Sequence, residues 1–109
     1  MSEPRWFSVR LLLERRFSND VPPSDALYED RIIILRANDE DEAKSKGEQM
    51  GKASSGDYKN VYDETVIWEF REVLDVIQLT AESIKDGTEV YYDLIGEEEV
   101  RRLRKAYHR

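Results

Sequence analysis

Apolar residues along most of this chain alternate with the period of a β-strand, and twice the period lengthens to that of a helix. From Trp6 to Phe17 one parity holds Phe7, Val9, Leu11, Leu13 and Phe17, and the other holds Trp6, Ser8, Arg10, Leu12 and Glu14. Successive side chains of a strand point to opposite faces, so this contrast predicts a strand with one buried face. Residues 18–25, SNDVPPSD, predict a loop, because Pro22 and Pro23 lack a backbone donor and disfavour helix in the preceding residue. The run from Leu27 to Arg36 is apolar at its centre on both parities, which predicts a strand inside the sheet or under a helix. Between Asn38 and Ser54 the spacing changes: Ala43, Gly47, Met50, Gly51 and Ser54 recur at helical intervals. Asp39 with Glu42 three residues on fits a capping box, and the acids at 39–42 suit the positive end of a helix dipole. Gly47 costs about 1 kcal/mol relative to Ala inside a helix, so a close approach to the sheet is the expected reason for it.

Residues 54–64, SSGDYKNVYDE, read as a polar loop, and Thr65 to Leu79 as one long strand. Strands usually run about 3–10 residues, so a bulge or bend near Arg71 and Glu72 is expected. Asp86-Gly87 supplies a turn into a further strand, TEVYYDLI, with Val90, Tyr92 and Leu94 on one face. Beyond Gly96, Val100, Leu103 and Tyr107 at i, i+3 and i+7 predict a short amphipathic helix with acids first and bases last. The expected fold is α+β: a mainly antiparallel sheet of about four strands in the order β-β-α-β-β-α, one main helix across a face, and a short C-terminal helix. A chain of 109 residues fits one domain, 1–109, ending in a basic helical tail at 97–109.

Charge changes the picture more than length does. Residues 101–109 carry five basic groups and no acid, so within the net charge of −7 the first 100 residues hold 12 basic and 24 acidic groups. Such a body repels nucleic acid and anionic membrane and steers basic partners toward itself. The absence of Cys removes disulfides, thiolate metal sites and cysteine nucleophiles together. No stretch approaches the roughly 20 apolar residues that span a bilayer, and Arg10 and Glu14 interrupt any leader-like run, so a cytoplasmic location is expected.

The strings WFSVRLLLE (6–14), LYEDRIIILRA (27–37), DEDEA (39–43), WEFREVLDVIQL (68–79) and DGTEVYYDLI (86–95) together resemble a small bacterial family classed only as a domain of unknown function. The likeness covers most of the chain, outside the 18–25 loop and the basic tail, and its most specific element is WEFREVLDV. It implies the α+β fold and carries no activity, cofactor or catalytic residue.

The residues themselves point away from catalysis. His108, the lone histidine, sits next to the chain end without partners for a triad or a metal. The acids at 39–42 lack the Gly and the bidentate Glu of a calcium loop, since Lys44 stands sixth from Asp39. Glu29 and Asp30 are adjacent on a strand and so diverge, while Glu69 is placed to meet Arg10 or Arg31 across strands in a solvated salt bridge. The five glycines are scattered and form no phosphate loop. No cofactor, metal or nucleic acid is therefore expected. The expected function is a non-enzymatic interaction module, of inhibitor or immunity type, that binds a basic protein surface with Trp68 and Tyr91 as anchors. Its incompletely covered second sheet face or an edge strand would support a symmetric homodimer. The alternative is a small-ligand domain with a pocket between sheet and helix or at a dimer interface, using Arg10, Tyr92 and Glu69 as polar contacts.

Overall fold

The structure, a computed structural model, describes residues 3–18 and 27–107; the expected loop at 18–25, beyond Ser18, and His108 lie outside the described residues. Four antiparallel strands, β1 (Arg5–Phe17), β2 (Leu27–Ala37), β3 (Gly56–Lys59) and β4 (Thr65–Gln78), form one sheet in the order β2-β1-β4-β3. Helix α1 (Glu40–Ala53) crosses one face, and helix α2 (Glu97–Tyr107) closes the described chain. The α+β class and the β-β-α-β-β-α order are those expected.

The two central strands are long for a globular sheet, and β4 absorbs its length in two bulges. Its register against β1 shifts between Arg10 and Leu11, leaving Leu74 as the extra residue, and again between Leu12 and Leu13, leaving Arg71 extra. Each bulge bends and twists the strand, so the sheet curls around α1. The expected bend near Arg71 is therefore one of two.

All of the buried cluster lies on the helix side. Phe7, Val9, Leu11 and Leu13 of β1 pack with Leu35 and Ala37 of β2 and Ala43 of α1, flanked by Ile33, Trp68, Phe70, Val73 and Val76. Asp39 caps α1 by accepting a hydrogen bond from the Glu42 amide at 2.8 Å, and Glu42 reaches back to the Asn38 amide at 3.3 Å and its Nδ2 at 3.0 Å. Small residues let the helix sit close. A Cβ on Gly47 would lie 2.7 Å from Val9 Cγ1, and one on Gly51 would lie 2.3 to 2.9 Å from three atoms of the Phe70 ring.

Of the two positions expected for β2, inside the sheet or under a helix, the structure takes the second: β2 lies at a sheet edge with Leu35 and Ala37 packed on Ala43 of α1, and Ile32 and Ile34 point to the other face. Two placements differ from expectation. Residues 56–59, within the expected polar loop, form β3, joined to β4 by a tight connection at 60–64. There the Asn60 Oδ1 accepts from the Tyr62 and Glu64 amides, and Asp63 adopts φ 62°. Conversely, 88–95 forms no strand and does not join the sheet.

Candidate functional site

The face of the sheet away from α1 carries the chain's convergent polar groups. Even-numbered residues of β1 point there, and the register sets Arg10 between Ile32 of β2 and Asp75 of β4, and Glu14 between Tyr28 and Glu69. Arg10 grips Asp30 with both ends of its fork, Nε to Oδ1 at 2.7 Å and Nη2 to Oδ2 at 2.5 Å. Its remaining nitrogen, Nη1, donates to the Tyr91 hydroxyl at 3.2 Å, which donates in turn to Asp75 Oδ2 at 3.4 Å. The guanidinium carbon also lies 5.7 Å from the Tyr91 ring centre. Tyr91 thus pins the segment after the Asp86-Gly87 turn onto the middle of this face.

A second cluster lies four residues, about 13 Å, further along β1. Glu14, only 7% exposed, pairs with Arg71, and Arg16 lies 4.0 Å away. Glu69 receives Arg16 Nη2 at 3.2 Å and Arg71 Nη1 at 2.9 Å. The hydrogen bond from Arg71 holds the Glu14 carboxyl below the usual carboxylate range against the opposing effect of burial, with smaller help from Tyr28 and Arg16. The bond from Arg10 does the same for Asp30. Carboxylates saturated by guanidinium groups stay ionised at neutral pH, which unsuits them as proton donors and leaves them as structural acceptors. Among the described residues, no group of three or more Asp, Glu or His could hold a metal ion. No helix among them is long and apolar enough to cross a membrane.

Of the five residues singled out from sequence, Arg10 and Tyr91 meet directly. Glu69 belongs to the second cluster, paired with Arg16 and Arg71 rather than with Arg10 or Arg31; Arg31 instead pairs with Glu29 and donates to the Ser54 hydroxyl at 3.1 Å. Trp68 faces α1 and packs against the core, so it stands on the opposite side of the sheet from Tyr91. Tyr92, 52% exposed, has the parity opposite to Tyr91 and points outward with Val90 and Leu94. Asp30, Asp75, Glu14 and Arg71 complete the clusters. Their types were visible in the sequence, but their convergence depends on the register and on the Arg71 bulge.

From Asp86 to Glu99 the chain bears six acids and no base. It exposes Val90, Tyr92, Leu94 and Ile95, Leu94 to 90%. Between Thr88 and Gly96 it forms no strand. Two neighbouring clefts open at the end of the sheet: one of about 690 Å³ lined by Arg5, Trp6, Arg36, Gln78 and Thr80, among others, and one of about 560 Å³ beside Asn38 and Lys46. Arg36 stacks on Trp6 at 5.5 Å between them. The α1–sheet seam holds no such space at Gly47 and Gly51, where even a methyl group would collide.

The family model described as a domain of unknown function (DUF4288) matches residues 6–92, which takes in all of the sheet but Arg5, together with α1 and the pinned segment as far as Tyr92. No curated protein and no solved structure matches the chain.

Proposed function

The chain belongs to the DUF4288 family, which carries no assigned activity, and we propose that it is a non-enzymatic, cytoplasmic interaction module, of inhibitor or immunity type, whose acidic ribbon at 86–96 binds a basic protein surface. The observation that supports this most is the ribbon itself: Asp86, Glu89 and Asp93 with no base, exposed Val90, Tyr92 and Leu94 on a backbone that pairs with no strand, and three more acids in the first turn of α2 directly after it. Extended segments with unpaired amides and alternate side chains presented outward are what β-augmentation uses, with main-chain hydrogen bonds giving affinity and side-chain pockets giving specificity. The acids add steering toward a basic partner. Tyr91 supports the same reading, because anchoring on Arg10 and Asp75 holds the ribbon in place before a partner arrives and lowers the ordering cost. Trp68 takes no part in this surface.

The test is photo-crosslinking in the source cell from a reactive residue at position 92, with position 57 on strand β3 as control. One discrete adduct with a basic protein, formed from 92 and not from 57 and suppressed by high salt in the lysate, is the expected result. Adducts equal at both positions, or none, refute the proposal.

The 690 Å³ cleft favours a second reading, binding of a small anionic ligand at Arg5 and Arg36 beside Trp6. Thermal-shift screening of carboxylates and phosphates against wild type and Arg36→Ala tests it. A ligand that stabilises only the wild type supports it, and no shift with any compound ends it.

A further inference from the structure

Helix α2 is the least integrated element of the chain. None of its residues is buried, and Leu103 remains 46% exposed. The radius of gyration, 17.2 Å, exceeds the about 13 Å of a compact domain of this length, as the long strands β1 and β4 together with an exposed terminal helix produce. The helix is nevertheless strongly patterned: Val100 and Leu103 share one face, Glu97, Glu98 and Glu99 occupy its first turn, and Arg104 and Lys105 its last. A segment so polar along the rest of its surface gains little from standing alone in water, since isolated helices shorter than about 12–15 residues are marginal.

We infer that α2 pairs antiparallel with α2 of a second copy of this chain, about a two-fold axis passing between Arg101 and Arg102. That operation sets Val100 of each helix against Leu103 of the other. On a helical wheel Glu97 and Arg104 flank this stripe on the same side, because they are seven residues apart. A two-fold axis keeps that side in common, so Glu97 of each helix comes beside Arg104 of the other, twice over. The pattern is thus self-complementary in shape and charge, the requirement of an isologous interface. In a parallel pair the same residues would instead set acid against acid and base against base. Arg101 and Arg102 already have intrahelical partners in Glu97 and Glu99, whereas Arg104 ion-pairs with nothing among the described residues. A helix about 16 Å long buries less than the roughly 800 Å² per partner of a standard interface, so exposed Ile95 just before it joins the contact and the dimer is a weak, concentration-dependent one. The ribbon occupies the centre of the second sheet face through Tyr91, which is why the self-association expected of that face is assigned to α2.

The test is sedimentation equilibrium of the full chain over a wide concentration range, with helicity followed by circular dichroism. Glu97→Arg and Arg104→Glu each replace two attractions with two repulsions, and each is expected to weaken the dimer about tenfold or more. Mixing the two variants, or combining both changes in one chain, restores opposite charges across the axis and restores dimerisation. Because the combined variant keeps Arg at the unfavourable helix start, its recovery separates pairing from loss of helix. A monomer at every concentration overturns the inference, as does a dimer indifferent to the single swaps or one that the combined swap fails to rescue.

Discussion

Replacing Gly47 by Ala sets two known effects against each other at a place where the geometry decides the sign. Removing a helix-interior glycine gains about 1 kcal/mol of propensity. The new Cβ, however, would stand 2.7 Å from Val9 Cγ1, about 1 Å inside ordinary carbon–carbon contact. Val9 cannot give way cheaply. It is β-branched with a stiff χ1, fully buried in the central strand, and packed in the same cluster as Leu11, whose Cδ2 would be 3.8 Å from the added methyl. The alternative is for α1 to lift, but Ala43, one turn earlier, is also fully buried and Gly51, one turn later, is held against Phe70. Overpacking of this kind costs about 1–3 kcal/mol. The net expectation is a loss of about 1 kcal/mol, a fall in melting temperature of about 4–8 °C for a domain of this size. Ser45→Ala on the exposed side of the same helix is the control, and it should hold or raise stability by a few tenths of a kcal/mol. Urea unfolding at constant m reads both. If Gly47→Ala melts higher than wild type, propensity has won, and the account of α1 as a helix kept close by its glycines is wrong.

Trp68→Ala should lower stability by roughly 2–3 kcal/mol, since half-buried Trp68 packs against the core, and should leave crosslinking from position 92 intact in the cold; a folded variant that loses the adduct would return Trp68 to the binding surface. Tyr91→Ala removes both the hydroxyl bridge and the ring over Arg10, so limited proteolysis should cut between 80 and 96 several-fold faster while β1 amides keep their protection from exchange; unchanged cleavage refutes the pin. Ser8 is fully buried and its hydroxyl has no hydrogen-bond partner, so Ser8→Ala should raise stability by about 1 kcal/mol in urea melts, and a loss would reveal a bridging water. Glu14 and Asp30 have depressed folded-state pKa values, so each contributes stability that is complete above the usual carboxylate range and disappears as pH falls through the folded value. The melting temperature of wild type should therefore fall between pH 5 and pH 2 more steeply than that of Glu14→Gln, and parallel slopes would show that the pair is not linked to folding.

What the amino-acid pattern could and could not reveal follows from where each element draws its stability. β1 and α1 were legible because each buries one face: the parity of Phe7, Val9, Leu11 and Leu13 and the helical recurrence of Ala43, Gly47 and Gly51 record the same seam from its two sides. β3 was not legible. Gly56–Lys59 is exposed at every residue and owes its place to the turn built on Asn60 and to pairing with Thr65–Trp68, neither of which leaves a hydrophobic signature. For β2 the pattern left two positions open, inside the sheet or under a helix, because apolar Ile32 and Ile34 on the half-open face have the same composition as residues buried by two neighbours; packing of Leu35 and Ala37 under α1 decides for the second. The salt-bridge partners of Glu69 could not be named from spacing, since the extra residue at Arg71 returns that side chain to the face of Glu14 and shifts every later pairing by one.

The failure at 88–95 has a different origin, and it bears on function. TEVYYDLI has the β-branched and aromatic content and the alternation of a strand, and Tyr91 does face the sheet. The sheet keeps open edges, on β2 and on β4 beyond Trp68, but Tyr91 fixes the segment over the middle of the face through Arg10 of β1 and Asp75 of β4 instead of beside either edge. The segment therefore lies across the sheet instead of joining it, with strand propensity unspent and Val90, Tyr92 and Leu94 in water. Local pattern and global fold disagree here, and such disagreements concentrate at sites kept for binding. Two ribbons from two copies would not relieve it, because pairing 88–95 with itself would bring Glu89 and Asp93 of each copy together, four acids with no base between them. A strand from a basic partner would supply ladder and countercharge at once. A peptide with alternating Lys and Val is thus a direct probe: it should bind the ribbon with new extended-strand amide protection at 88–95 and be displaced by salt, whereas an alternating Glu and Val peptide should not bind. Binding of the basic peptide without protection at those amides would leave electrostatic attraction and remove β-augmentation from the account.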